Sequence, residues 1–507
     1  MTGVSRAKQG DMCLAKIVGL CSLGLVVPAF ALLEPTLNQT LAICLSLAVI
    51  FLWVSDKFAG AAAGIIFFMT KSFWVRLAFM FDKQLGSGGG SDLLGVAAPL
   101  ILALLIVLQI HSLLVRGERL CPDRTRVLLL AFCFLAFASI FLPTSSPLLG
   151  LAGVERNILP NMMILFLMAS LATRDRATAL VKVLLTVGLI STIYGIGQYL
   201  LGLYPWEVEW FRQVAFDEGL SGRLTVGLHG IEFRTFSIFY GYMDFFFTNV
   251  IIFAIAITCG KELDGIWRKL RLLYLASWLI VLGLSMERMP LVMVLVIAVA
   301  LRHLASSITK RKRIVWLGAG VALASYAILL FAGPYLQSTG ADKLERLAEL
   351  SDPFDAISIN DRFQTAWIPA LETIKSHPLG VGIGYGSQTK VSRESDSELY
   401  VKPHNELIQK TLETGIPGGL IYLLLLIYVY KDFVFIRREG FRPFGSAMIA
   451  VTIAFWVCGL VNLPFSGHSG LTYWALAGMA AGLKDELPKP ESEAYEKIKV
   501  TDNLNVG

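Results

Sequence analysis

The chain has 507 residues, of which 55% are apolar and only 16% charged, with a formal net charge of +6 and a mean hydropathy of +0.65. Soluble domains carry roughly a quarter charged residues, so this composition excludes a water-soluble globular protein, and with it collagen-like, disordered and disulfide-rich secreted chains. The positive balance does not point to nucleic acid, because Lys and Arg cluster in short stretches between apolar runs of membrane-spanning length.

In chain order, runs with few or no charges lie at 13–33, 39–55, 59–80, 92–115, 127–142, 158–172, 179–203, 235–259, 272–285, 289–303, 315–333, 411–430, 444–463 and 469–483. They predict an all-α polytopic membrane protein with about 12–14 transmembrane helices. Lys71 and Arg76 interrupt the third run, and Arg156 presses on the sixth. Basic loops at 116–126, 174–182, 261–271, 302–313 and 431–442 all fall on one side. The positive-inside rule assigns that side, and both termini, to the cytoplasm. The opposite side carries 143–157, 204–234 and one large loop, 334–404, expected to contain short helices.

This divides the chain into N-terminal transmembrane helices (1–230), a second transmembrane region (231–483) and a disordered cytoplasmic tail (484–507). All seven cysteines lie in spans or cytoplasmic loops, which argues against a disulfide framework or a Cys metal site. The first apolar run reads as a retained anchor. With no Walker loop, no GxGxxG and no internal repeat, a fused nucleotide-binding domain is excluded.

The large external loop and its exit carry the chemistry. Residues 361–376 place Phe363, Trp367, Leu371 and Ile374 at spacings of four, four and three, the apolar face of a helix lying on the membrane, with Pro369 as a kink. Residues 378–386, PLGVGIGYG, end it in a glycine-rich turn whose amides can approach an anion or simply close a turn. Residues 401–419 then run straight into an apolar stretch. A helix from 417 to 430 rises only about 21 Å, short of a hydrocarbon core of about 30 Å, so the span must include part of the polar segment before it. Helical spacing puts His404 on a face with Leu407, Ile408 and Thr411 and turns Glu413 away, giving Glu413 a packing or hydrogen-bonding role.

His404, at the mouth of the loop, is either a structural histidine or a catalytic base. Arg288, in the tight break 284–290, and Arg234, opening the eighth span, have the same depth and side. Each alone reads as an arginine reaching for lipid headgroups. Two guanidinium groups with a histidine suit another task, gripping a lipid-linked diphosphate, because the guanidinium fork binds phosphate oxygens bidentately and keeps its charge.

On these residues the sequence resembles the O-antigen ligase and O-antigen polymerase superfamily. The resemblance spans roughly 230–483: the turn 285–288, then Arg362, Trp367 and 378–382, then His404-Asn405 with Glu413, Gly415 and Gly418, and the last helix with Trp474. It implies a glycosyltransferase in the bacterial inner membrane, with its active site facing the periplasm and without metal or other cofactor. Such an enzyme moves a glycan from undecaprenyl diphosphate to a sugar hydroxyl. His404 matches the family's catalytic histidine, and Arg288 and Arg234 its diphosphate-binding arginines. Arg362, Lys402 and Arg223 are further candidates for guiding the anionic donor. Glu287 departs from the small residue the family commonly has there, and it can pair with Arg288. Glu413, Gly415 and Gly418 form the accompanying structural motif.

The expected activity is that of an O-antigen ligase acting on lipid A core, by single displacement with inversion. The alternative is an O-antigen or exopolysaccharide polymerase, whose acceptor is a second lipid-linked glycan. From a different class, a polytopic solute transporter is the rival, although transporters favour repeats and midplane charge. A non-catalytic scaffold would tolerate Ala at His404 and both arginines. The expected partners are these lipid-linked substrates and membrane lipids, and no nucleic acid.

Overall fold

The computed structural model describes residues 37–81, 93–118, 123–142, 147–210, 224–227, 230–233, 235–239, 241–285, 288–304, 362–385 and 403–486. Over them the chain is an all-α polytopic membrane protein apart from one two-stranded hairpin. The expected spans 13–33 and 315–333, most of the external loop and nearly all of the tail lie outside the described residues.

Three helices, α1 (Leu37–Ser55), α2 (Lys57–Phe81) and α3 (Leu93–Val115), pack on one another. They are followed by α4 (Arg124–Ala138), α5 (Pro147–Asn157), α6 (Ile164–Ser170), α7 (Arg174–Leu201) and the short α8 (Pro205–Trp210). After a β-hairpin come α9 (Tyr242–Thr258), α10 (Gly265–Ser285), α11 (Arg288–Leu304), α12 (Ile368–Ser376), α13 (Glu406–Glu439), α14 (Arg442–Gly459) and α15 (Gly467–Glu486). Seven of these, α2, α3, α4, α7, α9, α13 and α14, are long and apolar enough to cross a membrane, and α1 and α11 are shorter apolar helices.

Lipid tails are as apolar as leucine, so close packing rather than the hydrophobic effect joins such helices. α15 shows how. Gly478 and Gly482, four residues apart, set one face of α15 against the backbone of α6, where an added Cβ would meet the Leu165 and Ala169 carbonyl oxygens. Beside it Phe465 packs edge to face on Phe455 and Tyr473, Tyr473 packs edge to face on Trp474, and Phe455 stacks on Tyr473. At the end bearing the basic loops, Asp432 of α13 accepts from Thr125 of α4 (2.6 Å) and Lys484 of α15 (2.7 Å).

Three expectations need correction, and one segment gains structure. The run 158–172 is not one helix: α5 ends in a buried turn with a cis peptide before Pro160, and only the seven-residue α6 follows. Proline has no N–H to continue a helix, so the chain crosses this level as a broken pair. The run 235–259 becomes helical only at Tyr242, because residues 235–239 form an irregular buried segment tied to α7. The segment 204–234, expected on the external side, is partly structured. It holds α8 and the two-stranded antiparallel hairpin β1 (Leu224–Gly227) and β2 (Gly230–Phe233), in the register Leu224 with Phe233 and Gly227 with Gly230. Finally, Lys71 and Arg76 do not interrupt the third span. α2 is continuous; Lys71 lies over the Phe68 ring at 4.4 Å, and Arg76 is buried with protein partners.

The two ends of the α13 region test the orientation. In a cysteine-free background, Leu379→Cys, at a position 67% exposed on the glycine-rich turn, is expected to react with an impermeant thiol reagent added outside cells. Glu439→Cys, at the far end of α13, is expected to react only after permeabilisation. The reverse pattern would turn the candidate site toward the cytoplasm.

Candidate functional site

The site is organised around a break in α13. Gly415 has φ 76 and ψ 175 inside the helix, and Pro417 follows two residues later. Because Pro417 has no N–H, the Glu413 carbonyl loses its helical donor, and the turn at Gly415 withdraws the Ile416 amide from Leu412. Buried carbonyls need replacements. The glycine-rich turn supplies them: Val381 N–H donates to Leu412 O (3.0 Å) and Gly382 N–H to Glu413 O (3.1 Å), while Ile416 N–H donates back to Pro378 O (2.9 Å). Gly384 N–H donates to Glu413 Oε1 (3.2 Å), which also accepts from Gln409 Nε2 (3.3 Å), and Ile383 N–H donates to Ser139 Oγ (3.1 Å). Of the two readings of this turn, the structure takes the structural one. Its amides from 380 to 384 all bond to protein.

The helix leading into the turn also differs from expectation. Residues Arg362–Trp367 form a π-helical turn and the α-helix begins at Ile368, with Pro369 in its first turn rather than at a kink. The wider π turn shifts the face. Ile374 and Ala370 pack with Val381, Tyr385, Leu412 and Leu149, whereas Phe363 and Leu371 are exposed.

His404 is not on a helix. Asn405 is the N-cap of α13, its Oδ1 accepting from Ile408 N–H (3.0 Å), and His404 precedes it with φ 48. The face shared with Leu407, Ile408 and Thr411 therefore does not exist, because helical geometry starts two residues later. Non-glycine residues with positive φ are uncommon and persist where the surroundings over-determine them. Here Asn405 supplies the restraint, since its Nδ2 donates to Leu460 O (3.0 Å) in the loop after α14. Arg362 Nη1 donates to the very next carbonyl, Val461 O (2.9 Å). One loop thus holds both the half-buried His404, through its neighbour, and Arg362. A guanidinium has five N–H donors, so this single bond orients the group without exhausting it.

Below His404, Glu406 is buried and accepts from Tyr422 OH (3.1 Å), with Lys410 Nζ at 3.9 Å. Neither Glu406 nor Lys410 was singled out in the sequence. Their signal was two opposite charges four apart on a segment that has to enter the membrane.

Arg288 is the first residue of α11, next to the break expected between the two spans. Arg234, Arg223, Lys402 and Glu287 lie outside the described residues. Thr235, next after Arg234, and Leu284, four before Arg288, lie close together against Gly195, Ile196, Tyr199 and Val281. Gly418 sits in the turn of α13 after the break, against Thr414.

Residues 272–423 match the protein-family model described as O-antigen ligase. That interval contains Arg288, Arg362, the glycine-rich turn, His404, Glu413, Gly415 and Gly418, and leaves out Arg234 and Trp474. No curated protein matches the chain. The chain thus carries an O-antigen ligase domain over residues 272–423, which supports its membership of the O-antigen ligase and polymerase superfamily.

Proposed function

We propose that the protein transfers a glycan from undecaprenyl diphosphate to a sugar hydroxyl at the periplasmic face of the bacterial inner membrane, as an O-antigen ligase whose acceptor is lipid A core. The observation that carries this reading is the arrangement at His404. A histidine inside the matched domain is held in a rare backbone state beside Arg362, on one loop, at the mouth of a broken membrane helix. A buried structural histidine needs no such restraint.

In this reading His404 accepts the proton of the acceptor hydroxyl as that oxygen attacks the anomeric carbon, a task suited to a group titrating near neutral pH. The new C–O bond forms as the bond to the diphosphate breaks, and the electron pair leaves with undecaprenyl diphosphate. A single displacement inverts the anomeric centre. Charge develops on the departing diphosphate, where Arg288 and Arg234 stabilise it in place of the divalent metal many glycosyltransferases use. Arg362, Lys402 and Arg223 guide the anionic donor, and Glu287 tempers the hold of Arg288. The region 231–483 would form the catalytic half and 1–230 its membrane support.

One reconstitution tests this. Purified protein in lipid is expected to transfer glycan from the lipid-linked donor to lipid A core in excess EDTA, at the rate seen without chelator. Activity lost on chelation and restored by magnesium or manganese would overturn arginine-based charge neutralisation. Transfer only to a second lipid-linked glycan would make the protein a polymerase.

A further inference from the structure

The irregular segment before α9 is more tightly held than a linker needs to be. Residues 235–239 are all buried. Ser237 has φ 55 and is, with His404, one of two non-glycine residues of positive φ among the described residues. Each of its polar groups is engaged by a membrane helix. Its N–H donates to Gln198 Oε1 (2.7 Å), its hydroxyl donates to Ser191 O, and its carbonyl accepts from Arg76 Nη2 (2.6 Å). The Arg76 guanidinium also lies over the Phe236 ring at 4.5 Å. At the far end of the segment Phe239 packs against the His468 ring at 5.5 Å.

Arg76 is only 1% exposed, so it does not reach headgroups. A charged group inside a membrane bundle is costly and marks a task. Its counter-charge is Glu207 of α8, with Oε1 3.9 Å from Nη1. Glu207 is itself fully buried and accepts from Tyr194 OH (2.9 Å), Gln198 Nε2 (2.8 Å) and Tyr204 N–H (3.2 Å). Apolar side chains would fill this space at less cost. What they could not do is hold the Ser237 carbonyl in a left-handed turn.

We propose that Arg76, acting with Glu207 and Gln198, is a positioning residue of the transfer site. It fixes the backbone of residues 235–239, to which Arg234 is directly joined, for binding of the lipid-linked diphosphate. This role rests on the reading of Arg234, the residue just before the segment, as a donor ligand.

The test uses full-length protein in phospholipid nanodiscs with an undecaprenyl-diphosphate-linked oligosaccharide as donor. Arg76→Met is expected to lower kcat/KM for the donor by roughly 10- to 100-fold, through a raised donor KM together with a lower kcat, because Arg234 is read as both gripping the diphosphate and stabilising its charge as it leaves. In an Arg234→Ala background the same change should add nothing, because a residue that acts through another has nothing left to position. Arg76→Lys should recover part of the loss. If Arg76→Met folds poorly, Arg76→Met with Glu207→Gln removes both buried charges, a replacement proteins often tolerate, and is read identically. An unchanged kcat/KM for the donor in the folded variant, or losses that multiply in the Arg234→Ala background, would overturn the positioning role while leaving Arg234 in place. A wild-type kcat/KM in Arg234→Ala alone would instead remove Arg234 from donor binding and this role of Arg76 with it.

Discussion

His404→Ala is expected to reduce glycan transfer by roughly 100- to 10,000-fold while donor binding stays near the wild-type value, because a general base acts in the transition state and not in the ground-state complex. The backbone complicates this substitution, since position 404 has φ 48 and Ala tolerates that region poorly. Asn is several-fold enriched there. His404→Asn therefore separates chemistry from conformation: it keeps the backbone preference and removes the proton acceptor. Both variants should lose transfer equally. Transfer retained by His404→Asn would take the imidazole out of the mechanism. Loss of donor binding in both would recast His404 as a residue that holds the ligand or the loop. Binding and transfer have to be measured separately with one purified donor, alongside a check of folding in each variant.

What the sequence disclosed and what it concealed divide along a physical line. Spanning helices were legible because bilayer thickness forces long uncharged runs, and α2, α3, α7, α9, α13 and α14 lie where those runs are. The concealed features are backbone states set by distant partners. Ser237 is left-handed because Gln198, Ser191 and Arg76 bind its polar groups, and no periodicity near residue 237 records that. Arg76 looked like a flaw in a span because its partner Glu207 comes from a separate short helix. At His404 helical spacing was extended two residues too far, although Asn405 is a strong N-cap type and its side chain does cap Ile408.

The glycine-rich turn was open to two readings because glycine spacing says where a backbone can approach and not what it approaches. One clue was present. Pro417 leaves the Glu413 carbonyl without its helical donor, so some other amide had to be found, and Gly382 provides it. The arginines can be placed only in part: Arg288 opens α11, and Thr235, next after Arg234, lies close to Leu284.

Gly415→Ala is expected to damage both stability and transfer, and for reasons that compound. The backbone there, φ 76 and ψ 175, falls in a region essentially reserved for glycine, where another residue costs about 1–3 kcal/mol. An added Cβ would also meet the Leu379 backbone, whose Cα lies 2.7 Å from the ideal Cβ position. Neither relief is cheap. If α13 straightens, Pro417 still cannot donate to Glu413. If the turn moves away, the bonds from Val381, Gly382 and Gly384 to α13 and from Ile416 to Pro378 are lost together, at about 0.5–1.5 kcal/mol net for each. The turn connects to α12 and Arg362, and the start of α13 carries Asn405 and His404, so a displaced turn changes the distance between the two site residues. Gly459→Ala is the matched control, since a Cβ there makes only an ordinary contact at 3.6 Å with the Glu406 side chain. In thermal unfolding and transfer assays on the same nanodisc preparations, Gly415→Ala should unfold at a clearly lower temperature and transfer at least tenfold more slowly, by roughly the 1.4 kcal/mol that a factor of ten represents, while Gly459→Ala stays close to wild type. Wild-type stability and rate in Gly415→Ala would mean that the break in α13 is not what holds His404 and Arg362 in register.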